Sequence, residues 1–185
     1  MKRLLLVSLV LLGCLASVGA IAKVVKVTDP SLPRALPQTQ PVSVQWNDPS
    51  EFGEMRYSGN RRESERGTWV KDLAQYMQDK ATRYLQPGQQ LDITITDITR
   101  AGSYLPTGAS PNLDTVRVIK DIYPPRISLD FKLSDGNGQV ISEGQRKLVD
   151  SAFLMGSNSM DTDTLRYEKR MIDDWLRREF GEPKR

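Results

Sequence analysis

The sequence predicts an α+β fold: a mainly antiparallel sheet of four or five strands with two amphipathic helices packed on one face. Three observations lead there. Val42-Ser43-Val44-Gln45-Trp46, Leu91-Asp92-Ile93-Thr94-Ile95-Thr96-Asp97 and Ile127-Ser128-Leu129-Asp130-Phe131-Lys132-Leu133 alternate apolar with polar residues, the period of a half-buried strand. Two other stretches, Thr68–Leu85 and Leu165–Phe180, repeat their apolar residues at helical spacing. Asp135-Gly136-Asn137-Gly138 then joins two strand candidates with residues that accept the positive φ of a tight turn.

The chain opens on MKRLLLVSLVLLGCLASVGAIA, where two basic residues precede an apolar run and a small-residue exit at Ala20-Ile21-Ala22. This reads as a secretory signal peptide over residues 1–22. The run fades into Ser, Gly and Ala before reaching the roughly 20 apolar residues of a permanent membrane span. Leu11-Leu12-Gly13-Cys14 also resembles a lipoprotein box, in which the cysteine is lipidated and becomes the first residue. Cleavage after Ala22 and lipidation at Cys14 therefore stand as alternatives, the first giving a periplasmic or secreted protein and the second an outer-membrane lipoprotein. Residues 23–41 carry prolines at 30, 33, 37 and 41 and are expected to form a semi-rigid linker outside the core.

A single domain is expected over residues 42–181, with 182–185 as a tail. Asn47-Asp48-Pro49 ends the first strand, and a charged, glycine-containing loop runs to Gly67. Trp69, Leu73, Tyr76, Met77 and Tyr84 mark the core face of the first helix, which Gln86-Pro87-Gly88 stops. The strand from Leu91 follows, then a Gly/Pro/Ser-rich loop from Gly102 and a short strand at Val116–Ile119. Pro124-Pro125 precedes the strand from Ile127, and the Asp135–Gly138 turn leads into a last strand over Val140–Val149. The turn imitates the start of a calcium loop, but Val140 and Arg146 stand where that loop needs Gly and an acidic residue. In the closing helix Leu165, Ile172, Leu176 and Phe180, extended by Trp175 and Met171, form one apolar face. Asp173 with Arg177 and Asp174 with Arg178 support the opposite face as i,i+4 pairs.

Composition removes several chemistries. The chain has no histidine and only one cysteine, which cleavage after Ala22 would discard. Ser-His-Asp and Cys-His catalysis, histidine-ligated zinc or haem and mature-chain disulfides are thereby excluded, and no metal or other cofactor is expected. The formal charge of +3 includes Lys2 and Arg3; without them 26 basic residues become 24 against 23 acidic, or +1. Arg56, Arg61, Arg62 and Arg66 interleave with Glu51, Glu54, Glu63 and Glu65, a pattern of solvated mixed charge rather than a basic stripe, so nucleic acid is not an expected partner.

Carboxylate chemistry, a Ser-Lys arrangement and an all-oxygen metal site remain open to such a chain. Asp97, Asp130, Glu143 and Asp150 lie on or beside strands and are the candidates for a paired-carboxylate hydrolase, although alternation puts Asp130 on the solvated face. The alternative is binding. Arg100, Arg117 and Arg126 adjoin the two long loops Asn47–Gly67 and Gly102–Thr115, and guanidinium groups hold carboxylate or phosphate bidentately.

Taken in series, VSVQWNDPSEF, YLQPGQQLDITITDITRAG, YPPRISLDFKLSDGNGQVISEG and LRYEKRMIDDWLRREF resemble a family of secreted bacterial, largely proteobacterial, proteins grouped as domain of unknown function 3016. The likeness runs from about Val42 to Phe180. Its recurring features correspond here to Asp97, Ala101-Gly102, Pro124-Pro125-Arg126 and the terminal helix. The resemblance implies an exported bacterial domain and brings no activity, substrate or cofactor.

The sequence therefore leads to an exported, non-catalytic domain that binds an envelope protein or a small ligand, with no membrane span in the mature chain and a membrane anchor only if Cys14 is lipidated. A carboxylate-dependent envelope hydrolase and a structural lipoprotein are the competing readings.

Overall fold

A computed structural model of the chain describes residues 24–38, 41–105, 114–155 and 161–183. The signal segment with Cys14 and residues 106–113 of the second long loop lie outside them. Within them the fold is α+β, with a four-stranded mixed sheet, a separate two-stranded ribbon and four helices.

Strands β1 (Val42–Trp46), β2 (Gln90–Thr99), β5 (Arg126–Ser134) and β6 (Val140–Val149) form the sheet in the order β1-β2-β5-β6. β1 and β2 run parallel, while β2–β5 and β5–β6 are antiparallel. Parallel neighbours require a crossover. Here the crossover contains the short helices α1 (Gly53–Arg56) and α2 (Arg61–Glu65) and the longer α3 (Trp69–Ala81). The expected Asn47–Gly67 loop is thus largely structured: Asp48 accepts the Ser50 N–H and starts a 3-10 turn, and the Asn60 side chain accepts the Glu63 N–H at the head of α2. The short strand expected near Val116 is β4 (Arg117–Val118), which pairs with β3 (Ser103–Tyr104) and not with the main sheet.

One face of the sheet carries the core. Val42, Val44, Leu91, Ile93, Ile95, Ile98, Ile127, Leu129, Phe131 and Leu133 are buried with Val70, Leu73, Ala74 and Met77 of α3. Met171, Ile172, Trp175 and Leu176 join them from α4 (Arg166–Phe180). Tyr76 donates to Asp173 across the two helices at 2.8 Å. α3 ends four residues before the expected Leu85, because the Thr82 hydroxyl bonds back to the Gln78 carbonyl and the i+3 bonds of Arg83 and Tyr84 tighten the chain into a turn.

The proline-rich segment differs from its expected role. Val27 and Leu36 are buried in the core, the Leu36 N–H donates to Val44 O at 3.0 Å, and the Trp46 N–H donates to Arg34 O at 2.9 Å. Prolines 33 and 37 lack donors, but the residues between them keep theirs, which lets Arg34–Leu36 cover the outer edge of β1.

A bulge between Ile95 and Asp97 interrupts the alternation of β2. Without it Asp97 would follow Ile95 onto the core face; with it Ile98 is buried there instead, and the end of β2 is re-aimed toward α1. That end of the sheet, roofed by the β3–β4 ribbon, carries the candidate site.

Candidate functional site: an arginine-lined cleft

Glu54 organises this end of the molecule. It lies on α1 between the apolar Phe52 and Met55, which are themselves buried, and packing those two residues draws its carboxylate in as well. The solvated-charge expectation for the 51–66 stretch is corrected at this residue, which is 3% exposed. A buried charge needs partners. Glu54 Oε1 accepts from Ser64 Oγ at 2.9 Å, Arg100 Nη2 at 2.9 Å and Arg117 Nη1 at 2.7 Å. Oε2 accepts from the Arg100 backbone N–H at 2.9 Å and Arg117 Nη2 at 3.0 Å. Burial alone would raise the Glu54 pKa, but the Arg117 hydrogen bonds and the charges of Arg100 and Arg117 outweigh it and hold the carboxyl below its ordinary value.

Arg117 does more than pair with Glu54. Its Nε donates to Ala101 O at 2.7 Å, and Nη2 donates to the carbonyls of Arg100 and Gly102 at 3.0 and 3.1 Å. One guanidinium thus clamps β4, the end of β2 and α1 together. Gly102 makes the close approach feasible: its φ is +78°, and a Cβ there would sit 2.6 Å from the Val118 carbonyl oxygen. Arg100 is stacked 4.5 Å from the Trp69 ring, while Arg117 lies 5.2 Å from that of Tyr104. Asp97 Oδ1 accepts the Gly53 N–H at 2.6 Å, and a side chain at Gly53 would collide with Thr99. These contacts give structural reasons for Asp97 and for Ala101-Gly102.

Above the clamp is an open cleft of about 180 Å³, lined by Glu54, Tyr57, Ser58, Arg100, Tyr104, Arg117, Tyr123 and Arg126 among others. Three guanidiniums against one carboxylate leave its charged lining at +2. Arg126, exposed at the start of β5 after Pro124-Pro125, forms no ion pair among the described residues. All three arginines singled out in the sequence therefore reach one cleft, with different duties: Arg117 and Arg100 hold Glu54, and Arg126 is exposed there without an ion-pair partner among the described residues.

A second acid lies beneath the cleft. Glu168 of α4 is 1% exposed, and its Oε1 accepts the Ala101 N–H at 2.6 Å, whereas Oε2 has no hydrogen-bond partner among the described residues. Burial pushes its pKa up, only partly offset by the Ala101 N–H and the nearby charges of Arg117 and Arg100. Beside it, Ala101, Phe153 and Tyr167 form a small apolar cluster, with the two rings edge to face at 4.9 Å. Glu168 was missed in the sequence reading, yet the signal was present: at 3.6 residues per turn it falls between Ile172 and Trp175, inside the apolar face of α4. Glu54 gave a weaker signal, an acid in the short apolar frame Phe52-Gly53-Glu54-Met55.

Residues 40–178 match the family model described as Protein of unknown function (DUF3016). The chain belongs to that family. No curated protein and no solved structure matches it. Family membership accordingly carries no chemistry to the cleft, whose capabilities rest on its own residues.

The four carboxylate candidates do not form one cluster, although Asp130 and Glu143 are diagonal neighbours across β5 and β6. Asp97 caps α1; Asp130 and Glu143 lie on the open face of the sheet, opposite the helices; Asp150 accepts from Arg170 Nη2 at 2.9 Å. None of them lines the arginine cleft. Among the described residues no group of three or more His, Cys, Asp or Glu is placed to hold a metal ion, and no helix is long and apolar enough to cross a membrane.

Proposed function

We infer that this member of the family is an exported, non-catalytic binding module whose cleft receives a carboxylate or phosphate group of a small ligand or an envelope protein. The observation that carries the reading is the surplus of positive charge in the cleft, with Arg126 exposed at its mouth and in no ion pair among the described residues. Arg117 contributes field rather than donors, since Glu54 and backbone carbonyls already occupy most of its N–H groups, whereas Arg100 is bonded through Nη2 to Glu54 and its Nε has no partner among the described residues. Tyr57, Tyr104 and Tyr123 offer hydroxyl donors and flat apolar surface around the cation. The amino-terminal sequence supports export to the periplasm, with lipidation at Cys14 as the route to a membrane-anchored form. For the hydrolase alternative, Asp97 and Asp150 are engaged elsewhere, and Asp130 and Glu143, diagonal neighbours across β5 and β6, lie on the open face of the sheet away from the arginine cleft.

A titration of the mature protein with inorganic phosphate and with succinate, followed by backbone NMR, tests the reading. Saturable shifts should centre on Tyr57, Tyr104, Tyr123 and Arg126, and Arg126→Glu should remove them while leaving the remaining spectrum in place. Linear, scattered shifts, or saturation that survives Arg126→Glu, would refute binding at this cleft.

A further inference from the structure

The two edges of the main sheet are treated differently. Arg34–Leu36 covers the outer edge of β1, but among the described residues nothing pairs with the outer edge of β6, a ten-residue strand without proline. In its register with β5, the Asp150 N–H donates to Pro125 O, so the even-numbered residues of β6 bond inward. Glu143, Gln145 and Lys147 consequently direct their N–H and C=O groups outward.

Those three residues share the open face and read the same way in both directions apart from charge, which reverses. Antiparallel self-pairing about Gln145 sets Glu143 opposite Lys147 twice and Gln145 opposite itself. On the other face, Gly144 comes opposite Arg146 of the second copy, while each copy's own Arg146, held by Glu179, already fills the space a side chain at its Gly144 would take. Exposed aliphatics flank the centre, Val140 and Ile141 at one end and Val149 at the other, so each end meets its complement. Within one copy Asp92 and Lys132 are 3.5 Å apart, and Lys132 is the register partner of Glu143. Lys147 of a second copy would extend that row as acid, base, acid, base.

We propose that β6 is a homodimer interface, in which two copies of the chain join edge to edge about a twofold axis at Gln145 to make one continuous eight-stranded sheet. Charges and bulges commonly guard an edge strand against such pairing. Here the bulge lies at the Leu133/Ser134 end of the β5 pairing, away from the centre, and the charges attract on self-pairing instead of repelling. Arg146 Nη1 donates to the Gln145 carbonyl at 2.9 Å, and the second lone pair of that carbonyl remains for the partner strand. The interface is isologous, so each substitution acts twice.

Sedimentation equilibrium of the mature protein at low salt should show a concentration-dependent dimer. Glu143→Lys and Lys147→Glu should each weaken it by roughly tenfold or more, by placing like charges opposite one another, and the double swap should restore it. Gln145→Cys should give a disulfide-linked dimer on mild oxidation, while Asp92→Cys, on the same face but inside the sheet, should not. A protein that stays monomeric to millimolar concentration, a dimer indifferent to both single reversals, or a double swap that fails to recover would each overturn the proposal.

Discussion

Arg117 and Arg126 line the same cleft and carry the same charge, yet their removal should have different consequences. Arg117→Ala leaves Glu54 buried beside fewer donors and frees three carbonyls, and the loss of one partner of a buried pair costs about 3–5 kcal/mol. Arg126→Ala removes an exposed side chain that forms no ion pair among the described residues and should change stability by no more than about 0.5 kcal/mol. Denaturant unfolding of the two variants checks the contrast. Equal losses would show that Arg117 is not the clamp described. The arginines were legible in the sequence as candidates because they adjoin long loops. Their division of labour was not, because the Glu54 that assigns it lies 46 residues from Arg100 and 63 from Arg117.

At the scale of elements, α4 is the part of the chain whose apolar face the sequence marks most plainly, and it is sensitive to a single change. Trp175 is fully buried between Phe131 and Phe180, with ring centroids 6.1 and 5.8 Å away, and Trp175→Ala should cost about 3–5 kcal/mol by opening a cavity at the centre of the helix–sheet interface. Its indole N–H has no partner among the described residues, so Trp175→Phe should recover most of that loss, a ranking that thermal melts would establish. Long periodic elements such as α4 and β5 announce themselves because many residues repeat one signal. α1 and α2, at four and five residues, are too short for a period and exist through their caps and through Glu54. Likewise, nothing in the run of β2 marks the bulge before Asp97, which depends on its pairing with β5.

For the whole molecule, the two buried glutamates give pH dependences of opposite sign. Glu54 has a depressed pKa, so its contribution is present above the ordinary glutamate value and is lost as pH falls through the lower, folded-state value. Glu168 has a raised pKa: its contribution is full below the ordinary value of 4.5 and declines as pH rises from there through the folded-state value. Stability should therefore be greatest in weakly acidic solution. Glu168→Gln keeps an acceptor for the Ala101 N–H and cannot ionise, so between about pH 5 and 8 its stability should fall less than that of the unchanged protein. A variant that is clearly less stable at neutral pH, with the same slope, would mean that Arg100 and Arg117 favour the ionised acid after all.

By itself, the sequence determined the α+β class, the strong strands, the closing helix, the family likeness and the absence of histidine chemistry, because each is carried by local period or by composition. Only the tertiary structure decided that the sheet is mixed, that the proline-rich segment packs into the core through Val27 and Leu36, that Glu54 and Glu168 are buried, and that three arginines converge on one cleft. These properties depend on contacts between residues far apart in the chain. A charged side chain reads the same in a sequence whether it faces water or another charge in the interior, and the fold alone chooses between them.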